Sequence, residues 1–72
     1  MKYIVTEIQD NEGTDVPTIT TAHDTRLEAD SKWHQVMSAA ALSNVKHHSA
    51  IEYDSRGGII NTGCYDHTGE TE

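Results

Sequence analysis

The chain has 72 residues, 35% of them apolar, with three Tyr, one Trp and no Phe. That length sets a single domain with a thin core, near the lower limit for folding without a disulfide, a metal or self-association, and the lone Cys64 excludes an intramolecular disulfide. Twelve acidic against five basic side chains give a formal net charge of −7, which argues against a basic surface for nucleic acid or anionic membrane and leaves a basic protein surface as a partner class.

Lys2 to Gln9 is rich in Tyr, Ile, Val and Thr, which suit a pleated, half-buried surface. Alternation puts Ile4, Thr6 and Ile8 on one face and Tyr3, Val5 and Glu7 on the other. Asp10 to Asp15 is an acidic turn in which Gly13 is free to take positive φ. Val16 to Ala22 reads as a second strand that Pro17 confines to an edge or a strand start. The first two strands then form a hairpin.

Residues 24–43 read as one amphipathic helix. Thr25 and Glu28 have capping-box spacing, with Asp24 an equally good N-cap. Ala29, Trp33, Val36, Met37 and Ala40 form the stripe that faces a sheet. Leu27, His34 and Ala41 form a second line at heptad spacing, a candidate seam for self-association. Asn44 is the expected stop, since Asn tolerates the left-handed conformation.

Val45 to Asp54 alternates again, Ser55-Arg56-Gly57-Gly58 is a tight turn, and Ile59 to Tyr65 is the last strand. Residues 66–72 are expected to be a disordered acidic tail following a domain of residues 1–65. The fold class is α+β: a ββαββ unit with one helix on a four-stranded, mainly antiparallel sheet. No stretch approaches the length of a membrane span. A single free Cys suits a reducing cytoplasm.

No motif carries a definite chemistry. The five His and Cys64 lack the paired spacings that bring two ligands onto one ion, so no metal or other cofactor is expected. Cys64, Asp66 and His67 stand close in sequence, but Cys64 reads as a buried, inert strand residue, and no catalytic residue is expected. The protein reads as non-enzymatic.

The stretch from Ser31 to Ser43, with His48-Ser49-Ala50, a Gly-containing hairpin, Cys64-Tyr65-Asp66-His67 and the opening Lys2-Tyr3-Ile4-Val5-Thr6-Glu7, resembles small open reading frames of phages and prophages of Gram-positive gut bacteria. Those relatives usually carry Tyr at the position of Trp33. The group has no established activity, so the resemblance assigns no residue a role. It implies a phage or mobile-element product in the cytoplasm of a bacterial host.

Three functional readings follow. The first is an accessory protein that binds and inhibits a host defence protein through acidic groups, with Asp10, Glu12 and Asp15 as contacts. The second is an oligomeric sponge for a nucleotide-like signal, with His34, His48, Arg56, Tyr65 and His67 as donors. The third is a virion or assembly component. All three expect a homo-oligomer, formed through the Leu27, His34 and Ala41 seam or an edge strand.

Overall fold

The computed structural model describes residues 1–68. The elements are β1 (Tyr3–Asp10), β2 (Thr18–His23), α1 (Arg26–Leu42), β3 (His47–Asp54) and β4 (Ile59–Asp66). The strands form one four-stranded sheet in the order β2-β1-β3-β4, antiparallel throughout, with the helix across one face. This is the expected ββαββ arrangement, and it puts β1 and β3 at the centre and leaves β2 and β4 as edges. No described helix is long and apolar enough to cross a membrane.

The helix begins where its capping residues predict. Thr25 has extended backbone and its Oγ1 accepts from the Glu28 amide at 3.2 Å. It ends without the left-handed Asn44 that the sequence suggests: Ser43 is an extended C-cap whose amide and hydroxyl both donate to Ala40 O. In the first loop, Glu12 and not Gly13 takes the left-handed conformation, at φ 64°. The Asp10 carboxylate accepts from the Glu12 amide at 2.8 Å and sets that turn.

The β3–β4 turn is built around Asp54, whose Oδ1 accepts from the Arg56 and Gly58 amides, each at 2.9 Å. Gly57 has φ 91°, which requires glycine, and a Cβ on Gly58 would stand 2.8 Å from Asp54 Oδ2. At the other end, β4 runs through Asp66, and His67 N donates to Lys46 O at 2.7 Å. The tail expected to be disordered from residue 66 therefore begins with paired chain, and residues 69–72 lie outside the described residues.

The helix stripe is as the spacing predicts: Ala29, Val36 and Ala40 are buried, with Trp33 and Met37 half-buried. The sheet face beneath it is unusual. The buried apolar residues of the described chain are Val5, Ala29, Val36, Ala40 and Ala50, and the largest fully buried side chain is Glu52. Close approach of helix to sheet explains this. Ala29 and Ala40 on α1 and Ala50 on β3 are fully buried, and Trp33 and Met37 lie over Gly63. Trp33 Nε1 donates to Ala50 O at 3.1 Å and pins the ring.

Candidate functional site

Because side chains alternate along a strand, the registers assign the paired residues to a face, with the irregularity at Ile60 setting Ile59 on the face opposite to Asn61. Under the helix run the cross-strand rows Thr21-Val5-Glu52-Asn61, Ile19-Glu7-Ala50-Gly63 and Gln9-His48-Tyr65. The opposite face carries Ala22-Ile4-Tyr53-Ile59, Thr20-Thr6-Ile51-Thr62 and Thr18-Ile8-Ser49-Cys64. The helix thus covers the more polar face and leaves open the one with most of the isoleucines. None of the open face's three rows contains a charged side chain, although the chain carries a net charge of −7.

Three hydroxyls at the centre of this face join in one cluster. Thr6 Oγ1 lies 3.1 Å from Thr20 Oγ1 and 3.0 Å from Tyr53 Oη. Strand spacing and rise make the face about 400 Å² in plan, shared between apolar side chains and hydroxyls. Cys64 is exposed at its edge, and so is not the buried strand residue that its sequence context suggests. Charge appears in the rows at either end, the Lys2–Asp24 ion pair at one and Asp10-His47-Asp66 at the other.

That row holds a latch. His47 Nε2 lies 2.9 Å from Glu12 Oε2, and Lys46 Nζ lies 3.6 Å from Glu12 Oε1. His47 Nδ1 lies 3.7 Å from Asp66, and the Lys46 amide donates to Asn11 Oδ1 at 3.0 Å. Of the acidic trio assigned to partner binding, Glu12 is thus engaged within the chain, Asp10 caps its amide, and Asp15 is exposed. The hydrogen bond to Glu12 raises the His47 pKa above 6.5, and the same bond lowers that of Glu12 below 4.5.

The latch has a signed pH dependence. The raised His47 contributes stability that is complete below pH 6.5 and lost as pH rises through its folded value. The lowered Glu12 contributes stability that is complete above pH 4.5 and lost as pH falls through its folded value. Hydrogen exchange at the Glu12 and Lys46 amides is therefore expected to be slowest, after correction for intrinsic rates, between these two values. Glu12→Gln should flatten that profile; an unchanged profile would place the titration elsewhere.

On the helix side, two polar clusters are buried. His48 Nε2 meets Glu7 Oε2 at 2.5 Å, His48 Nδ1 meets Ser43 Oγ at 2.8 Å, and Gln9 Nε2 donates to Glu7 at 3.1 Å. The sequence of groups is that of a serine hydrolase triad. Ser43, however, is the helix C-cap with its hydroxyl also on Ala40 O, and the described residues enclose no pocket. The cluster ties the end of α1 to β1 and β3. The second cluster is Asp30 with Glu52: Asn61 Nδ2 donates to Glu52 Oε1 at 2.8 Å, and Asp30 Oδ1 and Glu52 Oε2 are both buried without a hydrogen-bond partner.

The remaining assigned residues separate. His48 and Tyr65 are cross-strand neighbours, and the Tyr65 ring stacks on His67 at 6.1 Å, with His67 Nε2 3.0 Å from Ala40 O. His34 is exposed on the helix with its ring edge-on to Trp33 at 5.1 Å. Arg56 sits beyond the far end of β3, and the turn amides that would cradle a phosphate beside it are already bonded to Asp54. The five ligand donors do not converge within one copy. Leu27 and His34 are exposed and Ala41 half-buried along one flank of α1, with Leu27 80% exposed.

Sequence reasoning missed the open face because nothing in a strand's alternation says which side the helix takes. A signal was present: the helix stripe is small, and Ala50 and Gly63 give one sheet face a small centre. Among the described residues, no group of three or more His, Cys, Asp or Glu is placed to hold a metal ion. Comparison of the chain with family models, curated proteins and solved structures finds no match.

Proposed function

We propose that this chain is a non-enzymatic accessory protein of a phage or mobile element that acts in the bacterial cytoplasm by binding, and so inhibiting, a host protein. The observation that carries the reading is the uncharged Ile, Thr and Tyr face left open by the single helix. Its partner would offer an apolar patch ringed by basic groups, matching an apolar centre that has Asp10 and Asp66 beside it on a chain of net charge −7. A host defence nuclease, with a basic cleft, is one class that fits.

This moves the binding surface from the acidic loop to the sheet. Asp10, Glu12 and Asp15 then steer the approach and set its salt dependence, while Ile51 at the centre of the face holds the complex. Capture from host lysate on immobilised protein would identify the partner, and titration with the purified partner would test the face. Ile51→Lys should weaken binding roughly 30-fold or more, since it places an unpaired charge in the contact. Reversing the three loop acids should mainly slow association. If Ile51→Lys binds normally and the loop reversal abolishes the complex, the acidic loop is the site and the face is not.

A further inference from the structure

Strand β4 is an edge, and its hydrogen-bonding direction follows from the ladder. His67 N donates to Lys46 O, which makes Lys46 and His67 a hydrogen-bonded pair. The register steps this pattern along to His48 with Tyr65 and Ala50 with Gly63. Thr62, Cys64 and Asp66 therefore point their N–H and C=O groups away from β3, where no described element covers them.

Natural edge strands are protected by Lys, Pro, inward charges or short length. From Ile59 to Tyr65 this eight-residue strand has no charge and no Pro, and its irregularity lies at the turn end, opposite Glu52 and Tyr53. The other edge, β2, is shorter, at six residues, and follows directly on Pro17. The unprotected row of β4 is a template for another strand, and an antiparallel copy of itself is complementary to it by two-fold symmetry.

We propose that β4 pairs with β4 of a second copy, so that the two sheets join into one of eight strands. Only registers that set outward residues opposite outward residues are allowed. A two-fold axis at Gly63 meets that rule: Thr62 and the partner's Cys64 exchange hydrogen bonds, and the pairing stays clear of the turn-end irregularity. It also keeps the two Asp66 carboxylates apart, which matters between copies of net charge −7. Both helices lie on one side of the joined sheet and both open faces on the other, which doubles the width of the docking surface. The pairing stands on the edge alone and does not depend on what the open face binds.

Thr62→Pro tests it cleanly. The Thr62 amide points outward, so proline removes no hydrogen bond to β3 and the fold is preserved, as circular dichroism should verify. Native mass spectrometry and sedimentation should give a dimer for the wild-type chain and half that mass for Thr62→Pro. A short bis-maleimide should join two copies through Cys64, the chain's single cysteine, and this product should disappear in Thr62→Pro. A monomeric wild-type protein would overturn the proposal. So would a dimer that survives Thr62→Pro and is broken instead by Thr20→Pro on β2, by Ile51→Lys on the open face or by Ala41→Glu on the helix flank.

Discussion

Gly63→Val is expected to unfold most of the protein at room temperature, or to bring its stability close to zero. A Cβ at residue 63 would stand 2.7 Å from Met37 Cε and 3.2 Å from Trp33 Cζ2. The Met37 end can swing aside, because thioether side chains are flexible. The indole cannot follow easily, since Trp33 Nε1 is bonded to Ala50 O. Gly63→Ala should therefore cost about 1 kcal/mol, whereas the two further methyl groups of valine should lift the helix and cost about 3 kcal/mol. A domain with so few buried apolar residues has about that much to lose. Urea unfolding followed by Trp33 fluorescence would measure both variants. If Gly63→Val is as stable as the wild type, α1 does not rest on β4.

The second large effect concerns the proton between Glu52 and Asp30. Burial raises the Glu52 pKa, and the neighbouring Asp30 carboxyl raises it further, against smaller opposing effects from Asn61 and Arg26. Asp30 and Arg26 act from α1 and Asn61 from β4; Arg26 Nε stands 3.8 Å from Asp30 Oδ1. Two carboxylates can bond only if one holds a proton, and neither Asp30 Oδ1 nor Glu52 Oε2, both buried, has a hydrogen-bond partner. Burial and the neighbouring Asp30 carboxylate thus both favour the protonated form of Glu52 in the folded protein.

The sign follows from linkage. A carboxyl whose folded pKa is raised contributes stability that is complete below its ordinary value of 4.5 and is lost as pH rises through the folded value. Stability in urea should accordingly fall as pH rises from 4.5 through the folded value. Glu52→Gln supplies a neutral amide that can accept from Asn61 and donate to Asp30, so it should remove the fall and equal or exceed the wild type at pH above the folded value. Glu52→Ala should cost about 3 kcal/mol, because it leaves a cavity and strips Asn61 and Asp30 of partners. His47 also loses stability at rising pH, so the comparison is best made in a Glu12→Gln background. If the slope persists in Glu52→Gln, the proton is held elsewhere.

Much of the architecture was legible in the residues. The capping pair Thr25 and Glu28, the helix stripe from Ala29 to Ala40, and the glycine pair after Arg56 act over short sequence distances, where local sterics decide the conformation. Boundaries shifted where groups from elsewhere in the chain intervened. The last strand extends through Asp66, with His67 bonded to Lys46 just beyond it, and the first loop is held by His47 and Lys46. The polar clusters were not legible at all. Glu7 and His48 meet across 41 positions and Asp30 and Glu52 across the helix–sheet interface, and neither pair has a spacing that local sequence could reveal.

The sequence by itself determined the order and type of the elements, because periodicity, capping and turn chemistry are properties of neighbouring residues. It determined the two faces of each strand as well, since alternation is obligatory along an extended chain. Only the tertiary structure decided which face the helix covers and which strands are left as edges. Those choices depend on packing between segments far apart in the chain: the small helix stripe fits closely over Ala50 and Gly63, and that fit places Glu52 and His48 inside and Ile4, Ile51 and Tyr53 on the open side.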